Sequence, residues 1–270
     1  MRFVYVTDLH GSIHQYQAVL KYTIDQNVKI IHIGADILPK GACIMEMQKD
    51  FVKKYLKDFY RLAKEKGIDV IGSFGNDDLY TRKQYFRKYS SLLDEVPYER
   101  EGYTFKAYNY VPDYPFGLKT ACKNDYPGWT CPERYISPPV DFTDQGRVLI
   151  PDPVQYFKDK GTIKEDLEKI SVDNRTIMAI HCPPNGSMGL DVCADGREVG
   201  SKAVLDFISA QKPLLTLHGH IHESPDVTGI WKTQVGKTVV IQPGQKSGFS
   251  TTLVDIEINE DTINAKLITC

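Results

Sequence analysis

Long apolar runs are missing from this chain of 270 residues. None approaches the roughly 18 to 20 consecutive apolar residues that a transmembrane helix needs, so no membrane span is expected. Met1 is followed at once by Arg2-Phe-Val-Tyr-Val-Thr7 rather than by an apolar core and a small-residue cleavage site. Export is therefore not indicated, and a cytoplasmic location is expected. An excess of charge is missing too: the formal net charge is -2 and no Lys/Arg stripe is visible, which disfavours nucleic acid as a partner. The cysteines, at 43, 122, 131, 182, 193 and 270, form no Cys-x-x-Cys pair, so free thiols fit better than a zinc knuckle or a disulfide framework. A Cys122-Cys131 bridge within one loop-like segment stays open. Also absent are a Gly-x-Ser-x-Gly elbow, a P-loop and a Gly-x-Gly-x-x-Gly fingerprint, which removes the common serine-nucleophile and phosphate-cradle mechanisms.

What is present is an alternation of short β-branched or aromatic runs with helical stretches. It predicts a strand over 2 to 7, a helix over about 13 to 27, a strand over 28 to 34, a helix over about 43 to 66 and a strand over 68 to 74, a βαβαβ opening. In the long helix, Ile44, Met47, Phe51, Tyr55, Phe59 and Leu62 recur at three and four residues and predict the face that packs on the sheet. From about 103 to 160 the periodicity is lost, and Tyr, Pro, Gly and Asp crowd together. That density of aromatics predicts an ordered insertion or lid. The pattern resumes with a helix at about 164 to 170, a strand at 176 to 181, a helix at about 200 to 210 and a strand at 214 to 218. Segments at 227 to 233, 237 to 242, 250 to 258 and 263 to 268 then read as antiparallel strands. One domain over 1 to 270 is the expectation.

Five of the expected strands run into a side chain that can bind a hard or borderline divalent ion. These are Asp8 and His10, then Asp36, then Asn76 in Gly75-Asn-Asp-Asp78, then His181, then His220 and His222 in Gly219-His-Ile-His222. The carboxyl ends of parallel strands share one edge, so residues distant in sequence converge there. Single motifs are weak: an Asp-x-His triplet arises by chance in roughly a third of chains this long. Gly-His-x-His arises in about one in a hundred, and extended backbone aims both imidazoles to one side, so the series carries the inference.

The order Asp-x-His, Asp, Gly-Asn-x-Asp, His, Gly-His-x-His resembles the calcineurin-like metallophosphoesterases. Gln242-Pro243-Gly244 resembles that family's Asn-Pro-Gly turn. The resemblance implies an α/β fold, a four-layer α/β/β/α sandwich of two mixed sheets. It implies one metal held by Asp8, His10, Asp36 and His222 and a second held by Asp36, Asn76, His181 and His220, with Asp36 bridging. Two such cations can present hydroxide to a phosphorus at neutral pH, so the expected activity is hydrolysis of a small phosphate ester, a nucleotide among the candidates. Manganese is the first expectation; iron, zinc, nickel and cobalt accept the same donors. The alternative is a non-catalytic interaction module that keeps the fold. Oligomeric state is not legible.

Two departures qualify the resemblance. Ala35 replaces the glycine usual before the bridging aspartate, which the backbone tolerates if φ is negative there. Asp77 replaces a histidine thought to serve the leaving oxygen; a carboxylate beside two cations should have a depressed pKa and protonate poorly. Asp36, Asn76 and Asp77 are thus the expected catalytic residues, with His14 and His218 as candidate substitute acids and Asp78 orienting a neighbour. An acid-poor site favours substrates with good leaving groups, and the resemblance implies a leaning to phosphodiesters over monoesters, because relatives lacking that histidine tend that way. Within the insertion, Lys119, Lys123, Trp129, Arg134 and Tyr135 are candidates to cover the metals, and His14, Lys119 and Arg134 to bind substrate.

Overall fold

The computed structural model describes residues 1–186, 188–260 and 262–270. The chain opens with β1 (Arg2–Val6), α1 (Ile13–Asp25), β2 (Ile30–Ile33), α2 (Ile44–Phe51), a π-helical turn (Val52–Leu56), α3 (Lys57–Glu65) and β3 (Asp69–Gly72). It continues through α4 (Lys83–Phe86), β4 (Ser91–Leu92), β5 (Tyr98–Arg100) and β6 (Tyr103–Tyr108). A long excursion follows, holding β7 (Val111–Pro112), β8 (Cys122–Lys123), β9 (Val140–Thr143), β10 (Gly146–Leu149), α5 (Pro153–Lys160) and α6 (Ile163–Leu167). Then come β11 (Thr176–Ile180), α7 (Lys202–Gln211), β12 (Leu215–Leu217), α8 (Ser224–Thr228), β13 (Lys232–Val235), β14 (Thr238–Ile241), β15 (Thr252–Asn259) and β16 (Thr262–Thr269).

Two six-stranded mixed sheets result, one ordered β16-β15-β1-β2-β3-β4 and the other β13-β14-β12-β11-β6-β5. In the first, β1 to β4 run parallel and β15 joins β1 antiparallel. In the second, β14, β12, β11 and β6 run parallel. Three apolar layers hold the stack. Alternate residues of the first sheet, Val4, Val6, Ile31 and Ile33, pack under Tyr16, Val19 and Phe59 of its helices. The opposite set, Phe3, Tyr5, Ile30 and Ile71, meets Phe105, Ile177, Leu215 and Ile241 of the second sheet. Met178, Ile180 and Val240 then pack under Val204, Phe207 and Ile208. Period-two strands buried on both faces explain the near-continuous apolar runs, and each fully buried side chain contributes about 1.5 to 3 kcal/mol. The layers are α/β/β/α, as the resemblance implied.

Several expectations need correction. The apolar stripe of the long helix is rotated: Met47 and Leu62 are exposed, and Gln48, Val52, Leu56, Phe59, Tyr60 and Ala63 face inward. The offset is already present at Met47 and Gln48 of α2, ahead of the π-turn, so it is the way α2 docks that sets the inward face. Residues 103 to 108 are not part of an aperiodic insertion but form β6, which pairs with β11 from Thr104↔Thr176 to Tyr108↔Ile180. The 227 to 233 segment begins instead within α8, which has proline in its first turn and ends at Gly229 in the left-handed region. In addition, β12 and β14 pair parallel, not antiparallel. All six cysteines are unpaired, so the Cys122-Cys131 bridge is not formed. Among the described residues no helix is long and apolar enough to cross a membrane.

Candidate metal centre

The seven candidate ligands follow β1, β2, β3, β11 and β12, the parallel strands whose carboxyl ends meet at one edge of the two sheets. Chain direction there reverses within a residue or two, and four ligands sit in the left-handed region: Asp8 at φ 56°, His10 at 41°, Asp36 at 47° and His220 at 67°. Such conformations cost non-glycine residues about 1 to 3 kcal/mol each and persist only where the surroundings over-determine them. Backbone lacing does so here, with Asp8 N–H donating to Ala35 O at 2.9 Å, His10 N–H to Asp36 O at 2.8 Å and Gly11 N–H to Ile37 O at 3.0 Å. Ala35 is not among the positive-φ residues, so its methyl group is accommodated.

The ligand atoms converge. His181 Nε2 lies 2.9 Å from Asn76 Oδ1 and 3.4 Å from Asp36 Oδ2. His222 Nε2 lies 3.4 Å from Asp8 Oδ1 and 3.2 Å from His10 Nε2, which is 3.8 Å from Asp36 Oδ2. The His220 ring centroid is 5.1 Å from that of His181, and its backbone N–H donates to Asp8. Three groups, Asp8/His10/His222, Asp8/Asp36/His181 and His10/Asp36/Asp77, each bring their ligand atoms within 4.8 Å of one another. Asp8, Asp36, Asn76 and His181 are buried.

Supporting residues fix the loops. Asp78, fully buried, accepts N–H groups from Ile37 at 3.0 Å, Leu38 at 2.7 Å and Gly75 at 2.9 Å, joining the Asp36 and Asn76 loops. Buried Gln48 donates to Pro39 O and Asp77 O and accepts from Leu79 N–H, tying the same two loops from outside. Tyr114 OH, which donates to Leu118 O, accepts from the Asn76 amide at 3.3 Å, leaving Asn76 Oδ1 turned toward His181. At Gly75 an added Cβ would overlap the Asp36 carboxylate, so that loop admits no side chain.

Electrostatics separates the ionisable groups. Burial works against the Asp8 charge, but His222 outweighs it and holds the carboxyl down at about 2. Asp36 lies below the ordinary carboxylate range because His181 overcomes its burial. Burial opposes protonation of His181, yet the Asp36 charge raises it to about 9. Burial lowers His10 to about 4 and His220 to about 3. Asp77 is pushed up to about 6 by burial and by Asp36.

This donor set fits divalent cations. Two carboxylates, an amide oxygen and imidazoles that are neutral when ligating all offer lone pairs to one small volume. His10 Nε2 and His222 Nε2 face each other although only one could carry the hydrogen between them. A cation placed among them would take the lone pairs of both imidazoles together with those of Asp8 and Asp36.

The proposed substrate-binding residues are not brought to this centre. His14 is exposed and packs edge-on against Phe249, outside the cleft beside the candidate ligands. Lys119 is wholly buried, 2.7 Å from Asp113, with its ammonium over the Tyr114 and Tyr135 rings. Arg134 is exposed and does not line the cleft. Lys123 is paired with Asp166 at 2.5 Å, and Tyr135 OH donates to Asp113. His218 is buried with both ring nitrogens engaged, by Cys182 O and Thr216 Oγ1. The cleft, about 1090 Å³, is lined by Trp129, one of the residues expected to cover it, and by Tyr114, Phe116, Ile136, Lys40 and Arg197 among others. Lys40, Gln48 and Tyr114 were missed as site residues: each is a lone residue with no spacing signal, and only Pro39-Lys40-Gly41 hinted at a turn beside Asp36.

The calcineurin-like phosphoesterase family model matches residues 1–224. No curated protein sequence matches the chain. Among solved structures, TT1561 of Thermus thermophilus is similar at 16% identity and TM-score 0.54, covering 98% of this chain and 97% of that one. A dimetal phosphatase from Danio rerio is similar at 12% identity and TM-score 0.55, covering 100% and 98%. GAP50, the anchor in the inner membrane complex of Plasmodium, is similar at 12% identity and TM-score 0.53, covering 100% and 84%. At these identities the structural likeness establishes the fold alone, while the family model covers most of the sequence. The chain belongs to the calcineurin-like phosphoesterase family.

Proposed function

We propose that this protein is a dinuclear metal-dependent hydrolase of small phosphate esters, with phosphodiesters preferred to monoesters. The observation that carries the reading is the convergence of buried carboxylate, amide and imidazole donors at the mouth of a large cleft. One ion would be held by Asp8, His10, Asp36 and His222, the other by Asp36, Asn76, His181 and His220. When bound, such a pair supplies a water of lowered pKa and neutralises the phosphoryl oxygens.

The chain's own groups set the rest. Asp36, held by the Asp77 backbone N–H at 2.9 Å, stands between both ligand sets. The Asn76 amide, fixed by Tyr114, presents its oxygen with His181. Asp77 accepts from Asn76 and faces His10 and Lys40, so it positions these groups rather than serving as the family's imidazole would. Neither His14 nor His218 is placed to supply that imidazole, which supports substrates that leave with little protonation. All seven ligand positions carry competent residues, which favours turnover over a module that keeps only the fold. Manganese is the proposed working metal, and the unpaired cysteines fit a reducing cytoplasm. Trp129 in the cleft fits a nucleotide or another planar group.

The test is direct. Purified protein with added manganese is expected to hydrolyse bis(p-nitrophenyl) phosphate, to lose activity on chelation and to be inactive as Asp36→Asn. Hydrolysis that survives chelation would refute the reading.

A further inference from the structure

The candidate centre borders two clefts rather than one. The larger, about 1090 Å³, contains Asp36, Asn76 and His220; a smaller one, about 540 Å³, contains Asp8 and opens toward Ser12, Asp226 and Ser247. His10, Lys40, His222 and Glu223 line both and form the ridge between them. The proposed position held by Asp8, His10, Asp36 and His222 lies where the two clefts meet, the other borders the larger cleft through Asp36, Asn76 and His220, and each cleft is large enough for an organic group. A monoester has one organic substituent and needs one arm. A diester has two, which leave a tetrahedral phosphorus in different directions.

Lys40 is built into the ridge. Gln48 pins its neighbour Pro39 at 3.1 Å and Asp77 at 2.7 Å through their carbonyls. Its ammonium lies 3.3 Å from His10 Nε2 and 3.6 Å from Asp77 Oδ2, with the side chain 54% exposed. The other cations lining the larger cleft are engaged elsewhere, Arg197 by Asp195 and Glu133 and Lys202 by Asp206. An ammonium has three N–H donors and these two partners take at most two, so Lys40 keeps one spare where it lines both clefts.

We propose that the two clefts are the two alcohol subsites of one phosphodiester, which lies across the ridge with Lys40 donating to a non-bridging phosphoryl oxygen. The aromatic larger arm takes a planar or apolar group, and the more polar smaller arm takes the second alcohol. The proposal rests on the phosphoesterase reading above, and its test separates the two. With manganese loaded, kcat/KM is measured on bis(p-nitrophenyl) phosphate, whose two rings occupy both arms, and on methyl p-nitrophenyl phosphate, whose ring needs only one. Ser247→Trp, an exposed loop position in the smaller arm, is expected to lower the ratio of the first to the second at least about tenfold by steric exclusion. Lys40→Met is expected to weaken inorganic phosphate binding about tenfold in calorimetry at unchanged metal content, with Lys40→Arg restoring most of it. A ratio unmoved by Ser247→Trp, or a phosphate affinity unmoved by Lys40→Met, overturns the two-arm assignment while metal-dependent hydrolysis by the wild type stands. Hydrolysis of neither diester overturns the reading beneath it.

Discussion

Replacing Asp78 by alanine removes the acceptor of three backbone N–H groups at once, those of Ile37, Leu38 and Gly75. The site is fully buried, so none of the three can turn to solvent. An orphaned buried donor costs about 1 to 3 kcal/mol, which sets a ceiling near 9 kcal/mol. Water entering the vacated volume would restore part of it, and about 3 to 5 kcal/mol is the expected loss. With a urea m-value of about 3 kcal/mol/M for a chain of this size, the unfolding midpoint falls by at least about 1 M. Because Asp78 joins the two loops that carry Asp36 and Asn76, manganese affinity falls with it. Asp78→Asn keeps one acceptor oxygen but aims an amide donor at a backbone N–H, so an intermediate loss is expected. An Asp78→Ala protein with its midpoint within about 0.3 M of wild type and unaltered manganese affinity would refute the reasoning.

His32 on β2 is buried edge-on against Tyr5 and Phe105 with neither ring nitrogen hydrogen-bonded, and burial lowers it to about 3. The unfolded chain takes up a proton near pH 6.5 while the folded one resists, so stability present above 6.5 is lost as pH falls toward 3. The wild type should lose about 2 kcal/mol more between pH 7 and 5 than His32→Phe; identical pH responses in urea unfolding would contradict this. Gly75→Ala should abolish manganese-dependent hydrolysis at unchanged circular dichroism, since its methyl group overlaps Asp36, and full activity would sink the claim. Lys119→Ala should destabilise the fold by about 3 to 5 kcal/mol by leaving the Asp113 carboxylate buried and unpaired. A raised KM at an unchanged melting temperature would instead return Lys119 to a substrate role. Asp77→His should alter the pH-rate profile or the tolerance of poor leaving groups; an unchanged profile removes position 77 from leaving-group chemistry.

The candidate ligands were legible because metal binding restricts residue type and because parallel strands deliver their ends to one edge. Asp8, Asp36, Asn76, His181 and His220 each follow a strand that its own apolar run announces. The π-turn at Val52–Leu56 was not legible, since all its residues are compatible with an ordinary helix. β6 was hidden because Tyr103-Thr-Phe-Lys-Ala-Tyr108, although alternating in burial, adjoins an aromatic stretch without period. The residues expected to bind substrate lie away from the cleft for a different reason. Lys119 and Arg134 were picked for charge, and charge alone does not say whether a cation faces a cleft, an internal carboxylate or bulk water. Lys40 sits on a turn that Gln48 ties to the Asp77 loop, a link between segments distant in sequence that no spacing announces.

The pairing of β6 with β11 carries a consequence for how this scaffold could be re-tasked. Its register is set by five paired positions, none of them in the excursion between the two strands. That excursion supplies Tyr114, Phe116, Trp129 and Ile136 to the larger cleft. Tyr114 fixes the Asn76 amide, and Ile163 and Leu167 pack with Met178 and Ile180 of β11, so these must stay; the side chains of Phe116, Trp129 and Ile136 can be exchanged while β11 keeps His181 where it stands, which alters the wall of the cleft without disturbing the candidate ligands.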